Sequence, residues 1–288
     1  MPRTPARRAA RKPSGARRRS LRISRWWPGK RRRRRWLQAF RRAPTTLQIA
    51  LGLAIVLAVS LAINWIYQVI RKPTELFFPV SGTLFKAPPE TWRQYGPVFR
   101  EHATNILTPE LLAALAQVEG SGNPVARTYW RWSWNLRPFE IYRPATSAVG
   151  MYQITDGTVA EAKHYCIHDH QVAEEGEWHD WHSCWFNSLY FRVVPSHAVE
   201  LTSAYLDLHV RSILSRYGIV SASLQQKQNL AALIHLCGAG AGAEYARRGL
   251  RLSEGQRCGD HEARVYVARV NAMKSEFARL AAADVDAD

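Results

Sequence analysis

The chain has 288 residues, 40 Lys/Arg against 23 Asp/Glu, and a formal net charge of +17. Eighteen of those cations lie in residues 1–44, which hold no acid; the first acidic residue is Glu75, and the chain beyond residue 44 is close to neutral. A folded nucleic-acid binder carries its basic patch on its own surface, so this partition argues against nucleic acid as a partner of the folded part. The 47% hydrophobic content excludes a largely disordered chain.

Residues 1–44 include Arg17-Arg18-Arg19 and the unbroken cationic run Lys30 to Arg35. Like charges at that density repel, and little apolar surface offsets the ordering entropy, so this tail is expected to be disordered. Leu47 to Ile70 follows, a stretch of 24 residues without a charge. As a helix it extends about 36 Å, enough to cross a hydrocarbon core of about 30 Å. Trp65 and Tyr67 lie near its far end, where amphipathic rings prefer the interface, and Arg71, Lys72 and Pro73 stop it. Residues 45–72 are therefore read as one transmembrane helix; a leader cleaved after Ala62 is the alternative.

The cations before the span keep the N-terminus cytoplasmic. Everything after about residue 72 is then exported, which in a bacterium means an inner-membrane anchor and a periplasmic domain. The basic tail would lie on anionic lipid headgroups. All four cysteines, Cys166, Cys184, Cys237 and Cys258, follow the span, and an even number in an oxidising compartment points to disulfides. Of the three pairings, the sequence-local Cys166–Cys184 and Cys237–Cys258 are favoured. A zinc site built from Cys166, His168, His170, His179, His182 and Cys184 competes, although neither spacing matches a zinc pattern well.

Residues 73–104 carry five prolines and read as a linker. Thr108-Pro109-Glu110 then opens a helix, with a Thr N-cap, Pro at the first helical position and an acid in the first turn. That helix runs to Glu119 and stops at Gly120-Ser-Gly-Asn-Pro124. Leu111, Leu112 and Leu115 form its apolar face, and Glu119, four residues after Leu115, continues it. Further helices are predicted over Gly157–His164, Ser196–Tyr217, Ser223–Leu236 and His261–Ala282. No alternating strand pattern stands out, so the exported domain, 105–282, is expected to be mostly α.

Three features carry chemistry. Glu119 is a carboxylate at a helix end beside a loop, partly withdrawn from water, as a general acid needs to be; on spacing alone an ordinary surface acid is the favoured reading. Ser147-Ala-Val-Gly150-Met151-Tyr152-Gln153 offers a glycine for close approach and an amide suited to sugar hydroxyls, or it is a plain turn into a helix. The aromatic residues Tyr129, Trp130, Trp132, Trp134 and Phe139, and a second set Trp178, Trp181 and Trp185, suit stacking on sugar rings or packing in a core. Trp130, Trp132 and Trp134 share a face if that segment is extended.

Glu119-Gly-Ser121-Gly-Asn123-Pro124 followed by Ser147-x-x-Gly150-x-x-Gln153 resembles the soluble-lytic-transglycosylase-like domain family, over about residues 105–280. The resemblance implies an α-helical, lysozyme-related fold and cleavage of the β-1,4 bond between N-acetylmuramic acid and N-acetylglucosamine in peptidoglycan, with a 1,6-anhydro product and no cofactor. Glu119 would be the general acid and then the base. Ser121, Asn123, Ser147, Gly150, Met151, Tyr152, Gln153, Trp130 and Trp132 would bind the glycan strand. Tyr266, in Tyr266-Val-Ala-Arg-Val270, matches a helix whose Tyr approaches the catalytic Glu.

The downstream family segment is aligned either with Cys237 and Gly238 or with His235 at its Tyr position. Gly120 departs from the family's usual Ser, and the gap from Glu119 to Ser147 is longer than usual. Two other readings stay open. One is a hydrolytic muramidase with Asp156 as second carboxylate; the other is a glycan-binding scaffold of an envelope machine.

Overall fold

The computed structural model describes residues 30–133, 137, 139–174, 176–177, 179–180 and 183–285. The chain forms two compact units, Met1–Leu61 and Ala62–Asp288. The first holds helix α1 (Lys30–Arg42) and most of α2 (Thr45–Arg71). Among the described residues α2 is the one helix long and apolar enough to cross a membrane. Residues 30–42 were expected to be disordered; the helix they form reflects the high helix propensity of arginine, which outweighs the like-charge repulsion. Residues 1–29 of the tail lie outside the described residues.

The second unit is mostly helical, as expected. After α2 come a 3-10 turn (Pro73–Phe77), the short α3 (Phe78–Ser81) and α4 (Pro88–Glu101). The linker expected over 73–104 is thus corrected: Pro73, Pro79, Pro88 and Pro89 sit at the starts of these elements, where a missing N–H costs nothing, and Pro97 lies within α4. Trp92, Tyr95 and Phe99, one helical stripe, are buried in the core.

Helix α5 (Pro109–Gly120) runs through the middle of the domain, packed on α4 and on α10 (Ala263–Val285). Leu111 to Ala116 are all fully buried, so the helix is covered on every side and not only on its leucine face. Thr108 is its N-cap, without a side-chain capping bond.

Helices α6 (Asp156–Ala162), α7 (Pro195–Arg216) and α8 (Leu224–Cys237) fall within two residues of their predicted bounds. Ser223 and Gln226 close a capping box at the start of α8, satisfying two otherwise orphaned N–H groups.

Helix α9 (Ala239–Arg247) was not predicted, because glycines depress helix propensity. Packing supplies the reason for one of them. A Cβ on Gly242 would lie 2.6 Å from Ile234 Cγ1 and 3.1 Å from Ile213 Cδ1, so only glycine lets α9 close on α7 and α8.

Among the described residues three antiparallel strand pairs complete the unit: β1 (Trp130–Trp132) with β2 (Tyr142–Pro144), β3 (Tyr165–His168) with β4 (Gln171–Glu174), and β5 (Arg257–Cys258) with β6 (His261–Glu262). Both sequence-local disulfides are formed, Cys166–Cys184 and Cys237–Cys258. The first consumes both thiols that a zinc site there would have used.

Candidate functional site

Three helices converge on Glu119. It occupies the last turn of α5, and its side chain is 19% exposed. Tyr266, in the first turn of α10 and 6% exposed, donates a hydrogen bond from Oη to Glu119 Oε1 at 2.5 Å. His235, near the end of α8, brings Nε2 to 3.8 Å from the same oxygen.

Burial raises the Tyr266 phenol well above its ordinary pKa, and the neighbouring Glu119 charge and hydrogen bond add to the effect. The phenol therefore keeps its proton at neutral pH and remains a donor to the carboxylate. Tyr152 meets the His235 ring edge-on at 6.4 Å, and burial raises its phenol likewise.

Gln153 and His235 line a cleft of about 210 Å³ with Thr155, Thr158, Tyr205 and Gly238. The cleft therefore adjoins Glu119 through His235. Gln153 has a positive φ of 48°, rare for a residue with a side chain. Its Nε2 donates to the carbonyls of Ala126 and Gly150, at 3.0 and 2.9 Å. Its donor side is thus committed to backbone, and the side-chain carbonyl is what it can offer a ligand.

Other residues expected to touch substrate make contacts within the protein. Asn123 is fully buried; its Nδ2 donates to the Ser81 carbonyl at 2.5 Å and its Oδ1 accepts from Val125 N at 2.9 Å. Met151 and Tyr152 are fully buried core residues. Ser121 is the left-handed cap of α5, and its carbonyl accepts from Lys86 N at 2.9 Å. Ser147 Oγ accepts from Asp156 N at the start of α6.

The close approach that Gly150 permits is to protein backbone: a Cβ there would lie 2.5 Å from the Arg192 carbonyl. Gly120 has a similar cause. A Cβ on it would lie 2.8 Å from both Cα and O of Met151, so the serine usual in the resembled family has no room here. The two motifs are pressed backbone to backbone.

Trp130 and Trp132 share one face of their strand, as expected, and both pack on Tyr142, with ring centroids 5.1 and 4.7 Å away. Trp130 Nε1 donates to the buried Glu75 at 3.0 Å, and Arg127 pairs with the same carboxylate. Among the described residues neither tryptophan contacts Glu119. Trp132 and Tyr129 remain exposed, and Trp185 packs on Phe186. Trp134, Trp178 and Trp181 lie outside the described residues. Asp156, the candidate second carboxylate, is exposed and paired with Arg192.

Spacing alone left the role of His235 undecided. Glu75 and Lys86, which tie the segment before α4 to the loop after Glu119, gave no signal in the sequence, because the partners that do so are remote: the Arg127 and Trp130 side chains for Glu75 and the Gly122 carbonyl for Lys86. Comparison with protein-family models, with curated proteins and with solved structures finds no match.

Proposed function

We propose that the chain is a membrane-anchored lytic transglycosylase of peptidoglycan, with Glu119 as its general acid and base. In this reading α2 spans the inner membrane, the N-terminus is cytoplasmic, and the domain with its two disulfides faces the periplasm. The observation that carries the proposal is the hydrogen bond from Tyr266 to Glu119. These two residues lie 147 positions apart and were picked out separately by the family resemblance, and that contact is the one the resemblance implies between them.

The chemistry follows from one carboxyl group. Protonated Glu119 gives its proton to the glycosidic oxygen as the bond from that oxygen to C1 of the muramic residue breaks. The resulting carboxylate takes the proton of the same sugar's C6 hydroxyl, whose oxygen closes on C1. Atoms and charge balance without water. An internal nucleophile has a high effective molarity, so the second carboxylate that most glycosidases need is dispensable. Tyr266 orients the carboxylate in both steps. His235 and Gln153 line the adjoining cleft, where the glycan would lie.

The test is release of soluble fragments from purified peptidoglycan by the full-length protein in detergent. Wild type should release them; Glu119→Gln should release none while keeping its thermal midpoint. Turnover by the folded Glu119→Gln variant would remove Glu119 from the mechanism.

A further inference from the structure

The last two turns of α2 contain the polar residues Asn64 and Gln68, both 6% exposed, inside an otherwise apolar run. Unpaired amides at that depth would be costly, and the protein pairs the N–H side of both. Asn64 Nδ2 donates to the Tyr142 carbonyl at 2.6 Å, and Gln68 Nε2 donates to the Phe139 carbonyl at 2.8 Å. Tyr67 packs on the Phe139 ring at 5.4 Å, and Arg71 pairs with Glu140 at 3.0 Å. Residues 139–142 therefore run alongside the end of the apolar helix, level with Ile63, Trp65, Ile66 and Ile70, all of them exposed. Phe139 and Ile141 are exposed there too, at 45% and 38%.

The charges beside this segment are cationic. Glu140 faces three guanidiniums, those of Arg71, Arg137 and Arg143, within 3.0–3.5 Å. Arg131 stands directly across from Arg143 in the β1–β2 register, a like-charge pairing that costs stability in an isolated hairpin. Anionic phosphates would relieve it.

We propose that strands β1 and β2, with residues 139–141, form a second membrane contact: Phe139 and Ile141 enter the headgroup boundary of the leaflet beside the end of α2, and Arg131 and Arg143 meet lipid phosphates. Apolar side chains flanked by arginines are the composition that such an interface selects. The inference rests on α2 as a membrane span and is independent of the chemistry at Glu119.

The test uses the full-length protein in vesicles of phosphatidylethanolamine and phosphatidylglycerol. Photoreactive benzoyl-phenylalanine is placed, one position at a time, at Ile55, Phe139, Ile141 and Val220, the last being 95% exposed. Lipid capture at Ile55, Phe139 and Ile141 should exceed that at Val220 several-fold. Capture at Ile55 with none above the Val220 level at Phe139 and Ile141 would overturn the second contact alone. Absence of capture at Ile55 would overturn the span and the inference with it. Replacing phosphatidylglycerol by phosphatidylcholine should lower capture at Phe139 in the wild type but not in the Arg131→Gln, Arg143→Gln double variant; equal capture by the wild type in both mixtures would overturn the phosphate contact.

Discussion

Glu119 and Tyr266 share one short hydrogen bond, and the bond makes each residue's role measurable. A hydrogen bond to a charged group contributes about 1.5–3 kcal/mol. If Tyr266 orients the carboxylate in the transition state, Tyr266→Phe should lower kcat/KM by about 10- to 100-fold and leave KM nearly unchanged. An unaltered kcat would mean that the contact is only structural. Gly120 makes a different prediction. Its missing side chain leaves room for the Met151 backbone, so Gly120→Ser, although it restores the serine of the resembled family, should destabilise the domain by about 1–3 kcal/mol and should not improve turnover. Urea denaturation of the two proteins checks this.

Glu119 was legible in the sequence because a helix start, an apolar face and a glycine-rich stop are all local signals. The structural role of Asn123 was not, because its partner, the Ser81 carbonyl, is 42 residues away. Met151 and Tyr152 were misread for the same reason: a turn motif says nothing about which of its side chains point into the core.

At the scale of elements, local capping chemistry explains which helices were foreseen. Thr108-Pro109-Glu110 and the Ser223/Gln226 box announce α5 and α8. Helix α4 was hidden by its prolines, of which Pro88 and Pro89 begin it and Pro97 lies inside it, and α9 by its glycines, of which Gly242 permits close packing. The strand pairs were missed because each strand is four residues or fewer, too short for an alternating pattern to show.

The disulfides give this scale its prediction. Their sequence separations are 18 and 21, and each should stabilise the fold by about 3 kcal/mol through the unfolded chain. Cys237 ends α8, two residues after His235, whereas Cys166 lies in β3. Alanine replacement of either pair should therefore lower the thermal midpoint, but only the Cys237/Cys258 pair should also slow turnover at temperatures where the protein remains folded. Equal slowing in both variants would contradict a specific support of His235 by that disulfide.

For the molecule as a whole, pH dependence follows from the buried phenols. Burial raises the pKa of Tyr152, Tyr190 and Tyr266, and Glu200 adds to the effect at Tyr190 as Glu119 does at Tyr266. Below about pH 10 these tyrosines are protonated in the folded and the unfolded chain alike, and their contribution to stability is intact. Above that pH the unfolded chain releases protons that the folded chain retains, so stability falls as pH rises. Phenolate absorbance followed together with circular dichroism should show a group of tyrosines that ionises only as the helices melt; complete ionisation in a folded protein would contradict their burial.

The whole-molecule charge also has a sharper meaning: the excess cations lie ahead of an apolar helix, and the unit that holds Glu119 is nearly neutral. What that unit releases from peptidoglycan decides its function. Mass spectrometry of the fragments released from peptidoglycan by the full-length protein tests it most directly. Muropeptides ending in 1,6-anhydro-N-acetylmuramic acid are expected, lost on Glu119→Gln substitution; reducing N-acetylmuramic ends would indicate water as the nucleophile, and no release by the folded wild-type protein would contradict catalysis altogether.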